Sequence, residues 1–60
     1  MTLHEQGQLV ERALDRLQVA FRATNTARRD LLMAERYDAA DKAKSLLESL
    51  DRVSDLAGES

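Results

Sequence analysis

Cysteine, proline and tryptophan are absent from this sequence, and glycine, phenylalanine and tyrosine are scarce. Without cysteine there is no disulfide to brace a small fold and no thiolate for redox or nucleophilic chemistry. Without proline, and with glycine only at Gly7 and Gly58, nothing between those two positions breaks a helix. The single histidine, His4, pairs with Glu5 for at most two metal ligands, and nothing nearby completes a site, so no metal and no other cofactor is expected. Long apolar runs are missing as well. No stretch approaches the roughly 20 residues of a membrane span, and the N-terminus lacks a basic-then-apolar leader pattern. The expected location is the cytoplasm, with no membrane among the partners. Charge of one sign is lacking too: 9 basic against 11 acidic residues give a net charge of −2, unlike the footprint of a strongly basic nucleic-acid binder.

What is present is leucine, alanine and a dense mixture of charges. Apolar residues recur at helical spacing along a first stripe of Leu3, Val10, Leu14, Leu17, Phe21 and Leu31, flanked by Ala13, Ala20, Ala27 and Ala34. A second stripe runs Ala39, Ala43, Leu46, Leu50, Val53 and Ala57 in steps of four and three, widened by Ala40, Leu47 and Leu56. Continued by sevens, the first stripe would fall on Asp38, Ser45 and Arg52, all polar. The second stripe starts one residue later, a rotation of about 100° around a helix axis. A turn resets that phase most simply.

The expected fold is therefore all-α, an antiparallel two-helix hairpin in one domain. Its predicted parts are a flexible N-terminal arm (1–7), helix 1 (8–33), a turn (34–37), helix 2 (38–57) and a tail (58–60). Asp38 suits the cap of the second helix, with Asp41 behind it, and Gly58 suits a left-handed C-terminal residue. One continuous helix in a coiled coil is the competing arrangement, because an eleven-residue step from Arg28 to Ala39 can absorb the phase change. Thr24-Asn25-Thr26 are poor helix formers and mark a loose or solvent-facing stretch of helix 1.

Sixty residues bury only about 60% of the surface of the unfolded chain. Chains this small use disulfides, metals or association for support. With the first two closed off, the expected partner is a second copy, a larger helical protein, or both. Catalysis is not expected. A Ser–His–acid arrangement would depend on His4 in an unframed arm, and paired carboxylates need a pocket that a bare hairpin lacks.

Two clusters are candidate binding residues. Leu31, Leu32 and Met33 form a run of three large apolar side chains that a helix cannot aim at one core, and with Tyr37 they make a candidate partner-binding patch near the turn. Arg22, Arg29 and Arg36 are spaced by sevens, with Arg28 adjacent, and such a row could follow a phosphate backbone. Asp30 and Glu35 interrupt the row, and no aromatic residue beside it offers a stacking surface. Six basic against five acidic residues through Arg36 give +1, and three against six from Tyr37 on give −3. The arginines therefore suit pairing with the acidic second half first, and RNA or DNA second.

The residues Arg16-Leu17-Gln18-x-Ala20, then Glu35-x-Tyr37, then Leu47-Glu48 resemble the small helical-hairpin co-chaperones of bacterial type III secretion. The likeness covers about two-thirds of the chain. It implies a bacterial, chaperone-like hairpin that helps to hold a needle subunit soluble together with a helical-repeat chaperone. In architecture alone the sequence is also similar to small plasmid-encoded RNA-binding hairpin dimers.

Overall fold

The first helix begins where its backbone donors find partners. Thr2 is extended, and its Oγ1 accepts from the Glu5 N–H at 3.1 Å, while the Glu5 carboxylate accepts from the Thr2 N–H at 3.4 Å. This reciprocal pair satisfies two of the N–H groups that a helix start leaves open, and the Glu5 charge meets the positive end of the helix dipole. The structure, a computed structural model, describes residues 1–59. Helix α1 spans Leu3–Met33 (31 residues) and helix α2 spans Tyr37–Gly58 (22 residues), folded back against each other as an antiparallel hairpin. The expected flexible arm over 1–7 is thus corrected. The cap at Thr2 outweighs the cost of Gly7, about 1 kcal/mol, and most of the arm is helical.

The turn is built from Ala34, Glu35 and Arg36. Glu35 takes a left-handed conformation (φ 60°), its N–H donates to the Leu32 carbonyl at 3.1 Å, and the Arg36 N–H donates to the Leu31 carbonyl at 2.8 Å. This paired arrangement closes the end of α1 on its own carbonyls, a position glycine usually fills. The chain is therefore a hairpin and not one continuous helix. Several predicted boundaries move. Tyr37, assigned to the turn, is the first residue of α2. Asp38 is not the cap: Arg36 holds that place without a side-chain hydrogen bond, its carbonyl accepting from Ala40 N–H at 2.9 Å, and Asp38 lies in the first turn, where its charge still meets the dipole. Gly58 is the last helical residue and has no positive φ, so Glu59 caps instead. Ser60, the end of the expected tail, lies outside the described residues.

The helices meet along a seam of threes and fours. On α1 it comprises Leu14, Leu17, Ala20, Thr24, Arg28 and Leu31, all half-buried; on α2 it comprises Ala40, Ala43, Leu47, Leu50, Ser54 and Ala57. Such spacing packs helices nearly aligned, as in coiled coils. Only Ala40 (1% exposed) and Leu47 (9%) are buried among the described residues. The expected stripe on α2 is therefore shifted: Ala40 and Leu47, read as its margin, are its centre, while Ala39, Leu46 and Val53 lie outside the seam. The two hydroxyl residues of the seam are self-sufficient. Thr24 Oγ1 donates to the Ala20 carbonyl at 2.7 Å and Ser54 Oγ to the Leu50 carbonyl at 3.0 Å, which lets both hydroxyls sit half-buried, and α1 runs unbroken through Thr24-Asn25-Thr26.

Lengths leave a remainder. At 1.5 Å per residue α1 is about 46 Å long and α2 about 33 Å, within a molecule 49 Å in its longest dimension. The N-terminal turns of α1, with Leu3 and Leu9, run past the end of α2 and are exposed.

Candidate interaction faces

A paired hairpin has two flanks, one on each side of its seam, and here they differ. One flank holds a shallow groove of about 300 Å³ lined by Leu17, Gln18, Phe21, Arg22, Asp51 and Ser54, with Glu48 next to it. Phe21 stands in that groove, 39% exposed, beside side chains that carry both signs of charge. The opposite flank follows from helical periodicity. Residues one step before the seam positions turn to that side on both helices when the pair is antiparallel. On α1 they are Ala13, Arg16, Val19, Ala23, Ala27 and Asp30, with the seam residue Ala20 at their edge, and on α2 they are Ala39, Lys42, Leu46, Ser49, Val53 and Leu56. Leu46 is 50% and Val53 48% exposed. A thin hairpin cannot cover them, because each helix has a single neighbour while the apolar arc of α2 is wide enough for two.

The predicted patch near the turn is dispersed. Leu31 points into the seam and is half-buried, Leu32 lies toward the groove flank, and Met33 is exposed on the far side of α1. Three consecutive helical residues fan through about 200°, so they cannot form one surface. Tyr37 is exposed and lines a second shallow cleft with Glu35, Arg36, Asp38 and Ala39. Met33 and Tyr37 therefore bracket the turn, while Leu31 belongs to the helix pair.

The arginine row also changes shape. Arg22 and Arg29 share the groove side of α1, but the helix ends at Met33, so Arg36 leaves the row and sits in the turn. Arg28 is in the seam and half-buried. None of the side-chain hydrogen bonds among the described residues joins two charged groups, and the charges act mainly as solvated surface. Among the described residues no cluster of three His, Asp or Glu side chains is placed to hold a metal ion. No described helix is long and apolar enough to cross a membrane.

No protein-family model, curated protein or solved structure matches the chain. Its faces are read from their own chemistry.

The sequence stripe contained Leu46 and Val53 but assigned them to the core. The signal that separates them is the width of the apolar arc on α2, which spans Ala39, Ala40 and Ala43 and their heptad repeats, too broad for one neighbouring helix.

Proposed function

We propose that this chain is a non-enzymatic protein–protein interaction module, a helical hairpin that self-associates or docks on a larger helical protein. The observation that carries the reading is the flank bearing Leu46 and Val53: large apolar side chains left half in water by a fold in which, among the described residues, only Ala40 and Leu47 are buried. Burying such surface stabilises a complex by roughly 25 cal/mol per Å² before the costs of association are counted. A chaperone-like role beside a helical-repeat protein, of the kind implied by the secretion co-chaperones that the sequence resembles, is one form of docking on a larger partner. A cytoplasmic setting fits either form.

The test compares apolar and basic substitutions. Co-purification from the native host, with the mass measured by light scattering, should give an assembly larger than the monomer that survives about 0.5 M salt. Val53→Asp should dissolve it, and Arg22→Gln combined with Arg29→Gln should leave it intact. An assembly released by salt, together with RNA or DNA binding removed by the arginine changes, would replace this reading with a nucleic-acid one.

A further inference from the structure

The flank that carries Ala20, Ala23, Ala27, Leu46 and Val53 is not symmetrical across the seam. Between Ala20 and Ala27 its α1 half is built from alanine and lies low. Its α2 half carries the large side chains Leu46 and Val53 and stands proud. Charges border it on both outer edges, with Arg16 and Asp30 on α1 and Lys42 on α2. The antiparallel register fixes their heights. Leu17 and Ser54 line the same groove, and α2 begins directly after the turn, so Lys42 is level with Asp30 and Leu46 is level with the stretch from Ala23 to Ala27.

We propose, building on the interaction reading above, that a second copy of this chain covers this flank. The two copies are related by a two-fold axis parallel to the helices, with both turns at one end. That operation lays α2 of each copy over α1 of the other and keeps every residue at its own height. Leu46 of one copy then seats on Ala23 and Ala27 of the other, Val53 seats near Ala20, and Lys42 of one copy meets Asp30 of the other. Large side chains fall on small ones and opposite charges meet, twice over, as an isologous interface requires. The product is a four-helix bundle.

The areas agree. The chain exposes 5163 Å², whereas a compact chain of 6.7 kDa exposes roughly 3,900 Å². The excess is about 1,250 Å², and a specific interface hides about 800 Å² on each partner. The hairpin is 49 Å by 15 Å in its two longer dimensions, a footprint on the order of 700 Å², so a copy of equal length matches what the fold leaves over.

The absence of cysteine gives a clean test. Chains carrying Asp30→Cys and chains carrying Lys42→Cys are mixed and oxidised, and the mass of the unmodified chain is followed by sedimentation over a hundredfold range of concentration. The proposal expects a dimer and a disulfide joining the two different variants. It also expects Asp30→Lys and Lys42→Asp each to weaken the dimer about fivefold, with the doubly reversed chain restored. That rescue keeps the test decisive even if the Val53→Asp chain fails to fold. A dimer in which Ala23→Cys links to itself, and the mixed pair does not, would overturn the arrangement by placing α1 on α1. A monomer throughout, with Leu46 and Val53 freely labelled by a carbene footprinting reagent, would overturn the second copy and leave the interaction reading standing. A monomer in which both are shielded would overturn the two together.

Discussion

The groove flank and the alanine–leucine flank are made by the same two helices, yet they treat apolar surface in opposite ways. On the groove flank Phe21 is surrounded by Gln18, Arg22, Glu48 and Asp51, which keep that side wet. On the other flank Leu46 and Val53 have alanines for neighbours across the seam and little charge between them. Isolated exposed apolar residues are normal on any protein surface, whereas a continuous apolar side is a mark of contact with another chain. The lesson is that placement around the seam, more than the number of leucines, separates an ordinary surface from an interface.

Five substitutions sharpen that comparison. The largest effect belongs to the seam that both flanks share. Leu47→Ala should cost about 2–5 kcal/mol, the range for a buried leucine, and in so small a fold that loss abolishes most helicity at room temperature by circular dichroism. A loss below about 0.5 kcal/mol would mean that the helices do not pack along this seam.

Next come equivalent charges placed on the two flanks. Val53→Asp should remove association and with it the dependence of the melting midpoint on protein concentration, while Gln18→Asp on the groove flank leaves that dependence in place. Equal effects from both would erase the distinction between the flanks.

Smaller still is Glu35→Gly at the turn. The left-handed φ of 60° disfavours a side chain, so glycine should raise stability by about 1 kcal/mol in a urea titration, without altering association. Gly7→Ala should add about 0.5–1 kcal/mol of helix stability, since an added Cβ there meets nothing within 4 Å. Its readout is slower amide exchange in the first turns of α1, and unchanged exchange would mean those turns are not helical in solution.

The helices and the reversal between them were legible in the sequence, because apolar spacing and its phase shift near Ala34–Asp38 are direct consequences of helix geometry. The turn chemistry was not. Ala34-Glu35-Arg36 contains neither glycine nor asparagine, and the left-handed residue is a glutamate whose N–H bond to the Leu32 carbonyl, with that of Arg36 to Leu31, offsets the cost of its side chain. The start of α1 was missed for a related reason. Thr2 and Glu5 stand three apart, the spacing of a capping box, but Gly7 masked the signal. The interaction faces were only half legible. Leu31, Leu32 and Met33 look contiguous in sequence and diverge on a helix, whereas Leu46 and Val53 look like core until the seam on α2 is shown to run through Ala40, Ala43, Leu47, Leu50, Ser54 and Ala57.

The closed turn at Glu35 also sets how the chain reaches this state. Every contact between the helices is nested around that three-residue link, so the pairs nearest it close the shortest loops and lose the least chain entropy. Ala40, the most buried residue, lies just beyond the turn, where closure comes first. The seam can then zip outward from Leu31 and Ala40 toward Leu14 and Ala57, in the microsecond-to-millisecond range of helical proteins with local contacts. The projecting turns of α1 join last, after the hairpin has already formed.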